Sequence, residues 1–369
     1  MSRRDATAAV VDADGHVIEP PGLWAQYVEE RYRARAPRPV RDENGLFCYA
    51  AGDVLLLRTA SRLGTDPEGG HKPVRAGGWD AAARLADMDA EGIERAFLFP
   101  SLSFFFPELE DPELHTVLCR AYNDWLRDYC RAAPDRLHGI ALLPLEDVAA
   151  SVRELGRATG ELGFRGAFFR PNPYAGRPIQ HPVYEPFWDC AESLGVPVLV
   201  HEGVSERIPT LGRERSESPV LQHLFSHPFE QMAACAGLVL GGVLDRHPRL
   251  RFAFLESGCG WVPYWLERMD GHFVTWRHHL GACKRRPSEA FVAQCFVSME
   301  PDERSTPAVL EAVGEECLVF ASDYPHTDHA FPGVVKQARE ALGTVSADAR
   351  YKVLRSNALR LYGMAETRG

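Results

Sequence analysis

The sequence predicts an α/β chain folded as a (β/α)8 TIM barrel, and three observations carry that prediction. Eight short runs rich in Val, Ile, Leu and Phe recur near 8–13, 95–100, 138–144, 165–170, 196–201, 251–256, 294–299 and 317–322. None alternates strictly, which is the pattern of strands buried on both faces. Most intervals between them hold helical periodicity, and repeated β–α alternation builds a parallel sheet covered by helices. Finally, six runs stop on ionisable residues: Asp14 with His16, Arg170, His201, Glu256, Glu300 and Asp323. A charge at the end of a buried strand is costly without a partner or a task. In a parallel barrel those ends share one face, where active sites are assembled.

The first strand, in AAVVDADGH, is followed by a long interval, 17–79. Within it PPGLWAQYVEERYRARAP reads as a short helix, and the Gly- and Pro-containing remainder as a small hairpin or flap. So long a connection at the functional face is expected to cover a site. We therefore read 17–79 as a lid-like insertion in a single domain spanning 1–369. Helix 80–93 aligns Ala83, Leu85, Met88 and Ile93 on one face, and 111–133 does the same with Leu114, Leu118, Tyr122, Trp125 and Leu126. Further helices are expected at 147–162, 183–194, 230–246, 261–277, 305–313 and 333–342, with a closing helix at 346–360. Residues 202–230, after the fifth strand, read as a long loop forming a wall of the substrate site.

A hydrophobic fraction of 45% with 25% charged residues describes a globular chain, not a disordered one. The net charge of −10, without a long basic run, excludes nucleic acid and anionic membrane as expected partners. Lys284, Arg285 and Arg286 form a cluster short enough for a solvated surface turn. The nine cysteines are odd in number, scattered and without a C-x-x-C pair, which fits a reducing cytosol. Cys259 has no base beside it and reads as a small buried thiol. No segment has the ~20 apolar residues of a membrane span, so the expectation is a soluble cytoplasmic enzyme.

Asp14 and His16, two apart at one strand end, point the same way, and His201 and Asp323 end the fifth and eighth strands. Two imidazoles and two carboxylates suit one divalent metal, Zn2+ best, with Mn2+ or Fe2+ as alternatives. Such an ion activates water or polarises a substrate oxygen. Taken singly, a D-x-H pair or a strand-end histidine is more often a cap or a bonded core residue. Their placement on strands one, five and eight of one barrel makes the joint reading a metal site.

The segments DADGHVIEP, RPNP, VLVHEG, GGVLDRHPRLRFAFLESGCGWVPYWLERMD and FASDYPH resemble the amidohydrolase-related family of the amidohydrolase superfamily. That group includes the aminocarboxymuconate-semialdehyde decarboxylase-like enzymes. The resemblance runs from about 10 to 362 and implies a metal-dependent TIM barrel. It implies Asp14 at the position where several relatives carry the first histidine of an H-x-H pair, with His16, His201 and Asp323 as the other ligands. Two departures stand out. Glu256 occupies the strand-six position where the decarboxylases carry a catalytic histidine. Arg170 ends strand four in place of a lysine that could be carbamylated to bridge two metals, which favours a single ion.

Glu256 is a candidate general base or proton donor, since apolar surroundings raise a carboxyl pKa. Its alternative is a structural buried carboxylate. Asp323 has two oxygens, one for ligation and one for proton relay. His227 could reach the site and replace the missing histidine. Candidate substrate contacts are Arg170 as a bidentate carboxylate clamp, His223, His326, Trp261 and Glu19, the last also placed to orient His16. Arg170 reads equally as half of an internal ion pair, and His223 and His227 as solvated or capping residues.

The expected substrate is a small molecule, aromatic acids or their derivatives among the candidates. Three chemistries compete: hydrolysis of an amide, ester or lactone; nonoxidative decarboxylation; and dehydrative closure of a heterocycle. A barrel that binds without turnover is the alternative from another class. The apolar helices in GGVLDRHPRL and WVPYWLERMD point to a homodimer.

Overall fold

The computed structural model describes residues 9–45, 47–56, 75–203, 205, 207–326 and 331–365. Residues 57–74 of the expected insertion lie outside this set. The strands in chain order are β1 (Val10–His16), β2 (Arg38–Arg41), β3 (Phe47–Ala51), β4 (Val54–Leu56), β5 (Ile93–Phe99), β6 (Leu137–Gly139), β7 (Ala167–Phe169), β8 (Val198–His201), β9 (Phe252–Leu255), β10 (Cys295–Met299) and β11 (Leu318–Phe320). All eight expected core strands are among them.

The core strands run parallel in two sets, β1–β5–β6 and β11–β10–β9–β8–β7. Between the sets, Ala141 bridges Ala167 in parallel, and the Asp323 amide donates to the Asp14 carbonyl at 3.0 Å. The carboxyl ends of all eight strands therefore lie on one face. The strand interiors are Phe- and Val-rich and almost fully buried, including Phe97, Phe99, Phe168, Phe169, Val198, Val200, Phe252 and Phe254.

Helices cover the sheet at Ala81–Glu91, Pro112–Cys130, Val148–Gly160, Glu185–Leu194, Pro219–Leu240, Val262–Trp276, Pro287–Gln294, Thr306–Val313 and Val334–Ala341. The first three begin at Asp80, Asp111 and Asp147, whose carboxylates accept backbone N–H bonds of the first turn. Such a cap is worth about 1 kcal/mol. In Pro112–Cys130, Pro112 takes a first-turn position, where its missing N–H costs nothing.

The structure corrects three expectations. The stretch read as loop through residue 230 becomes helical at Pro219, so His223 and His227 ride on a helix. Pro228 lies inside this helix, where a proline ordinarily ends one, and the helix passes through it. Helix Pro287–Gln294 was not foreseen, and the basic cluster before it is not simply solvated. Arg285 and Arg286 pair with Asp245 and Asp270, each at 2.6 Å. Thirdly, the expected flap contains a three-stranded antiparallel sheet, β2–β3–β4, after a short helix Pro21–Tyr27. No described helix is long and apolar enough to cross a membrane.

Candidate metal centre

β1 delivers two of the site residues through an irregularity in its register with β5 between Asp12 and Gly15. Gly15 leaves room there for two buried side-chain ends: a Cβ would meet Arg84 Nη2 at 2.5 Å and Asp12 Oδ2 at 2.8 Å, and one of them would have to move. Arg84, fully buried, donates to the His16 carbonyl at 2.8 Å and lies over the Tyr324 ring. Asp12 accepts from the Ser322 amide at 2.9 Å and from its hydroxyl at 2.6 Å. Burial pushes its carboxyl up to about 7, against the pull of Ser322 and Arg84. These bonds tie the end of β1 to the segment after β11 that carries Asp323.

Asp14, His16, His201 and Asp323 converge as expected, each almost completely buried. His16 Nε2 lies 3.5 Å from Asp14 Oδ1 and 3.2 Å from Asp323 Oδ1, and His201 Nε2 lies 3.4 Å from Asp14 Oδ2. Both imidazoles are oriented from behind: Nδ1 of His16 meets the Pro100 carbonyl at 2.7 Å, and Nδ1 of His201 meets the Glu202 carbonyl at 2.7 Å. With Nδ1–H donating to a carbonyl, Nε2 presents its lone pair to the centre, the tautomer a metal requires. Neither Nε2 atom nor either oxygen of Asp14 makes a hydrogen bond to any described group. Buried lone pairs facing one another without a donor between them are costly. Ligand atoms of Asp14, His16 and His201 lie within 4.8 Å of one another, as do those of His16, Glu256, Asp323 and His326. The donor set fits a divalent cation.

Glu256 joins this centre. Its Oε2 is 3.0 Å from His201 Nε2 and 4.0 Å from His16 Nε2, while Oε1 is 3.4 Å from His227 Nε2. Burial alone would raise its pKa, but the imidazoles of His201 and His227 outweigh burial and hold the carboxyl well below the usual range. Burial pulls His16 well below an ordinary imidazole, helped by His326 and His201. His201 and His227 go the other way, burial being overcome by Asp14 and Glu256 for the former and by Glu256 and Glu202 for the latter. The ring of carboxylates thus calls for positive charge. Glu256 and Asp323 also share a left-handed backbone, with φ of 53° and 51°. Non-glycine residues rarely take that conformation, and such outliers gather at functional sites.

His326 stacks on His16 with ring centroids 4.2 Å apart, bonds Asp323 through Nδ1 at 2.7 Å and meets Ser101 Oγ through Nε2 at 2.9 Å. His223 lies against His227, centroids 4.4 Å apart. Phe104 forms an apolar wall, its ring 4.7 Å from His201 and stacked on Phe168 at 4.8 Å.

The other expected contacts make hydrogen bonds within the protein. Arg170 is no free clamp: it bonds Asn172 at 3.1 Å, the Phe104 carbonyl at 3.2 Å, Glu202 at 3.2 Å and the Gly203 carbonyl. Its internal ion-pair reading is the one the geometry favours. Glu19 accepts from the amides of Leu102 at 3.0 Å and Ser103 at 2.9 Å, at the start of the short helical segment Leu102–Glu108, so its carboxylate orients that segment. Trp261 gives its indole N–H to the Gly258 carbonyl at 2.9 Å and sets its ring against Phe254. Glu300 accepts from the Gly258 amide at 3.3 Å and stands outside these clusters. The sequence reading missed Asp12, Arg84, Ser322 and Glu202. The D-A-D spacing offered the one available signal, for Asp12.

The chain resembles proteins of known structure and activity over most of its length. It is 31% identical over 298 residues to a gamma-resorcylate decarboxylase of Rhizobium sp. (strain MTP-10005), covering 76% of this chain and 86% of that one. An amidohydrolase structure from Mycobacterium avium subsp. paratuberculosis K-10 superposes with a TM-score of 0.78 at 22% identity, covering 96% and 99% of the two chains. A dihydroxybenzoic acid decarboxylase from Polaromonas sp. JS666, with bound manganese and the inhibitor 2-nitroresorcinol, superposes with a TM-score of 0.67 at 19% identity over 97% of each chain. The amidohydrolase family model matches residues 11–364, and the chain belongs to that family.

Proposed function

We propose that this protein is a metal-dependent decarboxylase of a small aromatic acid. The observation that carries the reading is the pair of imidazoles, His16 and His201, locked through Nδ1 with Nε2 turned toward Asp14, Asp323 and Glu256. The likeness to a gamma-resorcylate decarboxylase supports the choice of reaction. Asp14, His16, His201 and Asp323 would hold one divalent ion. When bound, the ion supplies a Lewis acid that anchors and polarises the substrate carboxylate and its neighbouring oxygen. Phe104 offers its ring to the substrate ring. His227, kept protonated by Glu256, delivers its proton to the ring carbon as the C–C bond breaks. The bonding electron pair stays on that carbon, forms the new C–H bond, and CO2 departs. Glu256 steadies the imidazolium beforehand, and His326 holds the Asp323 carboxylate in place.

A hydrolytic or dehydrative reaction is the second reading, favoured by Glu256 itself. A carboxylate 3.0 Å from His201 Nε2 is well placed to take a proton from water or from an internal nucleophile. Mass spectrometry of products separates the readings, using metal-loaded protein with hydroxybenzoates, anilides and aryl esters. Decarboxylation removes about 44 mass units, whereas hydrolysis adds about 18 and dehydrative closure removes about 18. Conversion of the esters or anilides alone, or of no compound in the panel, would overturn the decarboxylase reading.

The finer architecture follows the same reading: a closed (β/α)8 barrel in one domain, with 17–79 as a lid. The Ala141–Ala167 bridge and the Asp323–Asp14 backbone bond support closure. Manganese in the Polaromonas structure makes Mn2+ a stronger candidate beside the Zn2+ expected from the ligand types. Free cysteines throughout support a reducing cytoplasm. Exposed Tyr264, Val274 and Trp276 on helix Val262–Trp276 support a homodimer. Sedimentation as a monomer at micromolar concentration would remove that expectation.

A further inference from the structure

Glu256 has two faces, and the proposed centre uses one. Oε2 turns to His201 and His16, and Oε1 turns to His227 at 3.4 Å. Behind His227 stands His223, four residues earlier on helix Pro219–Leu240. Imidazoles at i and i+4 share one helix face, the spacing by which helical His pairs hold zinc. Their rings sit 4.4 Å apart, and one ligand atom from each of His223, His227 and Glu256 lies within 4.8 Å of the others. His227 is oriented as the two inner histidines are: its Nδ1 faces the His223 carbonyl at 3.3 Å and Ser226 Oγ at 3.0 Å, leaving Nε2 directed at Glu256. Glu202, fully buried, adds negative potential at His227. His223 is half-buried, so the cluster is not sealed from solvent.

We propose that His223, His227 and Glu256 form a second divalent-cation site, with Glu256 bridging it to the Asp14–His16–His201–Asp323 centre. A cation held at about 2.0–2.2 Å from N and O ligands needs donors roughly 3–4 Å apart, the range in which His227 and Glu256 already stand. Without the second ion, a proton on His227 occupies its place and makes an ion pair with Glu256. The site differs in origin from a bridge through a modified lysine on the fourth strand, where this chain has Arg170. It rests on the proposed single-ion centre but belongs to a separate state: with the second ion bound, His227 has no proton to give, so the two-ion form is not the proton-donating one, and the two readings can fail separately.

The test titrates the chelator-stripped full-length protein with Mn2+ and follows bound metal by mass spectrometry and coupling by electron paramagnetic resonance. Wild type should bind about two ions per chain and give the spectrum of a spin-coupled pair. His223→Ala and His227→Gln should each fall to about one ion per chain and lose the coupling, while circular dichroism stays native. Asp14→Asn with His201→Ala should retain about one ion. Saturation of wild type at about one Mn2+, absent from Asp14→Asn with His201→Ala, would overturn the second site and leave the first standing. Two ions per chain that survive His223→Ala and His227→Gln would overturn it too. No bound Mn2+ in wild type would overturn both.

Discussion

Two buried charged clusters meet at consecutive residues, His201 in one and Glu202 in the other, and they differ in how their polar atoms are satisfied. Around Arg170, the guanidinium is taken up by Asn172, Glu202 and the carbonyls of Phe104 and Gly203. Around His201, the Nε2 atoms of His16 and His201 and the Asp14 oxygens face one another, and none of them makes a hydrogen bond to a described group. Both sets are almost inaccessible to solvent, so burial alone does not distinguish them. The guanidinium at the centre of the first cluster is bonded on all sides, although Glu202 Oε2 beside it makes no hydrogen bond, whereas the second cluster turns several bare acceptors toward one point.

Breaking each cluster in turn should separate their roles. The largest effect is expected from Asp323→Asn, which keeps the shape but removes the charge. Turnover of a converted substrate should fall on the order of 10^3-fold, with metal content falling in parallel, while urea denaturation shows a folded protein. Arg170→Met should do the reverse. Leaving Glu202 buried without its partner costs about 3–5 kcal/mol, read from the urea midpoint, while the variant that still folds keeps its metal.

A smaller effect sharpens the comparison through pH. Burial, and then Glu202, raise the Glu230 carboxyl to about 7 from 4.5. The folded protein binds that proton more tightly than the unfolded chain does. Stability therefore declines as pH rises from about 4.5 to about 7, then levels. Glu230→Gln should gain on wild type across that window, by up to roughly 3 kcal/mol, in parallel urea titrations at pH 5 and pH 7.5. An equal difference at both pH values would remove the carboxyl from the account. The mildest change is Glu19→Gln, which weakens the bonds to Leu102 and Ser103. It should cost about 1 kcal/mol in thermal unfolding and leave bound metal untouched.

The sequence revealed the strands and the converging residues at their ends better than the partnerships. Uninterrupted Val- and Phe-rich runs are a local signal, and Asp14, His16, His201 and Asp323 are legible because each follows such a run. Apart from Asn172, what pairs with Arg170 is not local: Glu202 and the Phe104 carbonyl are distant along the chain. Arg84 was equally hidden, since its role depends on Gly15 leaving room for it. His223 and His227 fall before 230, in the stretch read as loop, and so their helical spacing went unnoticed.

The backbone at Glu256 and Asp323, with positive φ at both, bears on how this family can diverge. A gene library randomised at codon 256 would be filtered by steric fit before any assay of chemistry. Valine, isoleucine and threonine drop out, because a branched β-carbon collides in that region. Glycine, asparagine, aspartate and histidine pass. Exchange between an acid and an imidazole at this codon is therefore open to the backbone, and new reactivity can be sampled there without remaking the loop.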